Sequence, residues 1–145
     1  MIRPAVEADV PELLAMIHEL AEFENLSELV VCTEDDLARS LFDAQAVVHD
    51  TVVEVENGSL AGHALWFRSF STFLGQTGIW LEDLYVRPEH RRQGYGGALL
   101  RDLRGRTHGR VEWEVLDWNA QAVDFFQEIG ARPMSGWTRY RWNQP

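Results

Sequence analysis

The sequence predicts an α/β fold in one domain spanning 1–145, with helices packed against a mixed sheet. Three observations carry this. The length of 145 residues suits one hydrophobic core, and 46% hydrophobic content with six tryptophans is enough to fill it. The apolar spacing changes along the chain from a helical period to strand-like β-branched runs and back. The resulting order is strand, two helices, three strands, helix, strand, helix, strand, with no repeat, linker or low-complexity tract to divide it.

Each element has a local reason. IRPA (2–5) reads as a short first strand. Asp9 stands three residues before Glu12 in a capping-box-like pattern, and Pro11 is tolerated in a first turn. Val10, Leu13, Leu14, Ile17, Leu20 and Ala21 then lie on one helical face. Thr33 with Asp36 starts a shorter helix that carries Leu37, Leu41 and Phe42. From 46 to 67, β-branched runs flank Asn57-Gly58, a hairpin signal. IWLEDLYV (79–86) is a further strand, ended by Arg87-Pro88. A helix runs from Gly94 to about Leu103. VEWEVLDW (111–118) alternates as a strand, Ala120 to Ile129 is a helix stopped by Gly130, and GWTRYRW (136–142) is a last strand.

Composition limits the partners. The formal net charge is −10 and the pI is near 4.8, which argues against a nucleic-acid backbone and mildly favours cationic small molecules. No apolar run approaches the roughly 20 residues of a membrane span. MIRPAVEADV lacks the apolar stretch of a signal peptide, and the single Cys32 allows no internal disulfide. Together these point to a cytoplasmic protein. The five histidines (His18, His49, His63, His90, His108) show no metal-ligand spacing, so no metal is expected.

RRQGYGGALL (91–100) places three glycines where a helix begins, although glycine is unfavourable inside helices. A helix N-terminus offers unpaired N–H groups, and glycine lets a large anion approach them. Arg91 and Arg92 add charge. The stretch reads as a diphosphate cradle, or as an ordinary glycine-rich loop with surface arginines. It lacks the Gly-Lys-Ser/Thr of a P-loop, and Leu99 occupies the place of a third dinucleotide-binding glycine.

At Arg91-x-x-Gly94-x-Gly96 the chain resembles the GNAT N-acetyltransferase superfamily, and its diamine (spermidine/spermine and thialysine) branch in particular. The resemblance also runs through IRPA, ELAEFE (19–24), TEDDL (33–37), LEDLYV (81–86), DWN (117–119) and FFQEIGA (125–131), in family order. It implies a mostly antiparallel sheet flanked by helices and splayed between the fourth and fifth strands. It also implies transfer of acetyl from acetyl-CoA to a primary amine of a small cationic substrate, by direct attack, in a homodimer with GWTRYRW as candidate interface strand.

The site residues follow from the same resemblance. Leu84, Tyr85 and Val86 would meet the pantetheine arm through their main chain, and they also read as core strand residues. Arg91, Arg92, Gln93, Gly94, Tyr95, Gly96 and Gly97 would hold the pyrophosphate. Asn119 matches a pantetheine-proximal asparagine and equally suits a helix N-cap. Glu82 is expected to receive the amine proton, directly or through water; alone it also reads as a protective edge-strand charge. Neighbours on a strand face opposite ways, so Glu82 and Asp83 should meet different environments. With them, Phe23, Glu24, Asp117 and Trp118 would form an acidic amine site; singly, they read as surface acids and core aromatics.

Two departures stand out. Phe126 replaces the family tyrosine that protonates the leaving thiolate, so no general acid is assigned. The helix after Gly94 is about one turn short, with Gly105 and Gly109 stopping it. The other readings are a GNAT-fold enzyme for an amino acid, antibiotic or protein N-terminus, a non-catalytic acyl-CoA-binding module, and a non-enzymatic interaction domain.

Overall fold

The computed structural model describes all 145 residues, which form two compact units, Met1–Glu114 and Val115–Pro145. The first contains a five-stranded sheet in sequence order: β1 (Ile2–Pro4), β2 (His49–Glu54), β3 (Leu60–Ser71), β4 (Gln76–Val86) and β5 (Val111–Glu112). The first three pairings are antiparallel and β4–β5 is parallel. The helices of this unit are α1 (Val10–Phe23), α2 (Glu34–Phe42) and α3 (Tyr95–Gly105). None is long and apolar enough to cross a membrane.

Local chemistry explains most boundaries. Thr33 caps α2: its hydroxyl accepts the Asp36 N–H at 3.2 Å, while the Asp36 carboxylate accepts the Thr33 N–H at 2.9 Å. Gly58, at φ +83°, closes the β2–β3 turn as Asn57-Gly58 promises. The start of α1 differs from expectation. Asp9 caps nothing in α1; its carboxylate accepts the Val6 N–H at 2.8 Å and pairs with Arg3 at 2.7 Å. Glu12 instead reaches across to the Leu60 N–H at 2.9 Å. Both carboxylates find stronger tertiary partners than the helix end offers.

The register sorts side chains onto two faces. Asp50, Leu65 and Asp83 form one cross-strand row, and Val52, His63 and Tyr85 form the next row on the same face. That face packs against Val10, Leu13 and Met16 of α1 and Leu37 of α2. Ala64, Trp66, Ile79 and Leu81 point the other way, towards α3 and its fully buried Leu99 and Leu103.

Two expected strands are corrected. Only Val111–Glu112 of the 111–118 stretch pairs with β4, and residues 136–142 form no strand and are exposed. Alternation records which way side chains would face; it does not supply a neighbouring edge for the backbone. β5 begins where backbones nearly touch: a Cβ on Gly109 would lie 2.4 Å from the Thr77 carbonyl oxygen. The pairing ends at Trp80–Glu112, so β4 continues through Leu81–Val86 with one edge unpaired.

In the second unit, α4 (Ala120–Glu128) is capped by Asn119, whose side chain accepts the Ala122 N–H at 3.2 Å. Its other end closes on Gly130 at φ +90°, with the Ala131 N–H on the Phe126 carbonyl.

Candidate active site

The stretch of β4 beyond Trp80 carries one of the two register irregularities in the sheet. Leu65 faces Asp83 and Trp66 faces Leu81, so Glu82 is an extra residue, a β-bulge. The bulge turns Glu82 out to solvent, where its carboxylate accepts the Trp80 indole N–H at 2.8 Å. Asp83 points to the α1 face and is partly buried. Burial pushes its carboxyl above the usual carboxylate range and Glu82 and Asp50 add to this, while His63 opposes it.

Glu24 ends α1 and is half-buried. Burial raises its carboxyl, and the nearby Asp83 raises it further. Glu24, Glu82 and Asp83 therefore form one acidic neighbourhood. Phe23 stands beside it, 42% exposed.

A cavity of about 450 Å³ opens at the C-terminal end of β4, lined by Glu19, Glu22 and Phe23 of α1 and by Tyr85, Arg87 and Arg91 among others. The Tyr85 hydroxyl lies beside Glu19; burial, then that carboxylate, pushes it above the usual phenol range. Arg87 pairs with Glu19 at 3.1 Å, fixing α1 to the strand end. Arg91 donates to the Val86 carbonyl at 2.9 Å, and its guanidinium lies 5.7 Å from the ring centres of Phe23 and Tyr85. It is thereby tethered to the end of β4.

The glycine loop follows. Arg92 (φ +61°) and Gly94 (φ +81°) adopt left-handed backbone in quick succession, a conformation that costs any residue with a Cβ. The first backbone bond into α3 runs from Ala98 N–H to the Gly94 carbonyl. Tyr95, Gly96 and Gly97 therefore present N–H groups without intrahelical partners, at the positive end of the helix dipole. Gln93 and Gly94 are exposed at this edge. The loop chemistry fits a diphosphate. On β4, Leu84 and Val86 are partly buried and Tyr85 is buried, with one backbone edge unpaired.

The remaining sequence candidates belong to the second unit. Asp117 and Trp118 are exposed, and Asn119 is engaged as the α4 cap. Phe126 packs against Phe125, ring centres 5.6 Å apart.

The sequence reading missed two groups on the same sheet face as Asp83. Asp50 and His63 are wholly buried and pair at 2.9 Å. The available signal was a charge inside each of two apolar strand runs, HDTVVE and AGHALW.

A family model described as the acetyltransferase (GNAT) family matches residues 14–131. A thialysine N-epsilon-acetyltransferase of Sus scrofa is 35% identical, over 97% of this chain and 91% of the relative. An L-ornithine N5-acetyltransferase of Arabidopsis thaliana is 30% identical, over 94% of this chain and 81% of the relative. Among solved structures, a probable acetyltransferase superposes with a TM-score of 0.80 at 20% identity, covering 100% of this chain and 98% of the other. An aminoglycoside acetyltransferase from an uncultured soil metagenomic sample gives 0.77 at 16% identity, covering 100% and 96%. At these identities the solved structures speak for the fold alone.

Proposed function

The chain belongs to the GNAT acetyltransferase family and is an acyltransferase enzyme, and from that premise we propose that it moves acetyl from acetyl-CoA to a primary amine of a small cationic acceptor, such as a diamine or a thialysine-like amino acid. The observation that carries this is the β4 bulge. It sets solvent-exposed Glu82 back to back with half-buried Asp83, beside Glu24 and along an unpaired strand edge.

Acetyl-CoA, when bound, supplies an activated acetyl thioester. The unpartnered N–H groups of Tyr95, Gly96 and Gly97, with Gln93 and Gly94, would hold its pyrophosphate, and Arg91 and Arg92 would add positive charge. The main chain of Leu84, Tyr85 and Val86 would hold its pantetheine arm. The acceptor arrives as an ammonium and attacks only as a neutral amine. Glu82, exposed on the bulge, takes that proton, directly or through water. Asp83 and Glu24, with Phe23 beside them, bind positive charge on the acceptor. No side chain is assigned to protonate the thiolate, since Phe126 lacks a hydroxyl.

For Asp117, Trp118 and Asn119 the proposed roles rest on their place in the family order alone. The same reading takes both units as one domain, because the family match runs through both. It also takes the protein as a cytoplasmic homodimer, with the exposed Trp137 and Trp142 supporting an interface there.

The test is thiol release from acetyl-CoA with thialysine, ornithine, spermidine, putrescine and an aminoglycoside. Release with one of the first four is expected, and Glu82→Gln should lower kcat by about 10²–10⁴. Acetyl-CoA binding without release for any of the five, or undiminished turnover by Glu82→Gln, would sink the assignment.

A further inference from the structure

Asp50, His63 and Asp83 occupy three adjacent strands on one sheet face: β2, β3 and β4 in that order. Asp50 shares a cross-strand row with Asp83, and His63 stands in the next row on the middle strand. Diagonal neighbours of this kind are about 7–8 Å apart, within electrostatic reach through a dry interior. His63 Nδ1 lies 2.9 Å from the Asp50 carboxylate, and both side chains have no exposure. The second nitrogen, Nε2, and the second Asp50 oxygen are buried without hydrogen-bond partners.

Such a pair is costly to bury and adds little to fold stability that well-packed apolar residues would not. Nothing in core packing calls for it here, and the opposite face is filled by Trp66, Ile79, Leu81, Leu99 and Leu103 instead. What distinguishes the α1 face is Asp83. The ring stands between two carboxylates, with Asp50 on the strand to one side and Asp83 on the strand to the other. Burial alone pushes His63 towards the neutral form, but Asp50, then Asp83 and Glu19, outweigh it and raise the ring above the usual imidazole range. Glu19 and Glu24 of α1, Cys32 ahead of α2, Glu82 and the Tyr85 hydroxyl are the acidic groups around this site. These five are acidic; Arg87 pairs with Glu19 and Arg91 lies against the Tyr85 ring, so His63 is the fully buried cationic group of the neighbourhood.

We propose that the buried Asp50–His63 pair is a specificity-determining counter-charge that holds Asp83 as a carboxylate, so that the site selects acceptors carrying a second ammonium besides the one that reacts. This rests on the reading of Asp83 as an acceptor-binding residue. His63 and Asp50 are positioning residues: they act through Asp83 and touch no substrate. Without the ring, burial would drive a proton onto Asp83, and a neutral carboxyl distinguishes poorly between a diamine and a monoamine of the same length.

The test compares the wild type with Asp50→Asn/His63→Gln, which removes both buried charges together and leaves no orphaned ion. First, the Asp83 carboxyl is titrated by carbon-13 NMR in the free protein. Its midpoint should lie about one unit or more higher in the double variant; an unchanged midpoint overturns the proposal. Second, kcat/KM is measured for putrescine and for butylamine. The preference for putrescine should fall about tenfold, with butylamine turnover and acetyl-CoA KM unmoved. Equal losses on both amines would mean that the pair is structural. Asp83→Asn separates this from the parent reading. If it leaves the diamine preference intact while the carbon-13 midpoint still responds to the double variant, the binding role of Asp83 is wrong and the counter-charge is real. Nitrogen-15 shifts of His63 at neutral pH provide a check that needs no variant: both ring nitrogens should be protonated, and a neutral ring overturns the proposal.

Discussion

The two faces of the central sheet are built on different terms. The face under α3 is filled by Trp66, Ile79, Leu81, Leu99 and Leu103, and its polar contacts are accessory, such as the Trp66 indole N–H on Thr51 at 3.2 Å. The face under α1 and α2 also has an apolar cluster, but it buries Asp50 and His63 and half-buries Asp83. The first face resists unfolding; the second keeps charges in a place where water cannot weaken them. The Glu82 bulge sits at the boundary, since it is where β4 side chains change sides relative to a regular strand.

The largest effect expected to sharpen this contrast is Leu99→Ala. Leu99 is fully buried on the α3 face, so chemical denaturation should show a loss of about 2–5 kcal/mol, while KM for the amine stays unchanged. A shifted amine KM without lost stability would break the division between faces.

The next concerns pH. The folded state raises His63 above its ordinary 6.5. Its contribution to stability is therefore fully present below about pH 6.5 and is lost as the pH rises through the raised value. Thermal melts of the wild type should weaken as the pH rises above about 6.5. The double variant at Asp50 and His63 should lack that component; an identical slope in both proteins would remove His63 as its source.

Gly94→Ala follows. An L-residue at φ +81° costs about 1–2 kcal/mol. The start of α3 should distort, with acetyl-CoA affinity falling by calorimetry and the amine KM staying constant. A tight-binding Gly94→Ala would show that the loop does not hold the diphosphate. The smallest effect is Thr33→Ala, which removes the hydroxyl that accepts the Asp36 N–H and should cost about 1 kcal/mol in a denaturant melt with no kinetic change.

Much of this molecule was legible in its sequence because the signals were local. Thr33 and Asp36 cap α2 as their spacing announces, Asn57-Gly58 turns the hairpin, and Gly130 ends α4. The helix that starts at the glycine stretch was likewise written in RRQGYGG. Glu82 and Asp83 declared themselves as two charges inside a strand, and they do meet different environments.

Tertiary structure decided what depends on a partner distant in the chain. Asp9 and Glu12 left the helix start for Arg3 and for the Leu60 N–H, because an ion pair or a long-range backbone bond outcompetes a local cap. The strands expected over 111–118 and 136–142 shortened or vanished, because a strand exists only where a second backbone accepts its hydrogen bonds. The bulge that exposes Glu82 is a mismatch between two strands and is written in neither alone. Above all, Asp50 and His63 are 13 residues apart in sequence and belong to separate strands. Only the register of β2 on β3 brings them to 2.9 Å and seals them from water, and it is that seal which gives their charges influence over Asp83.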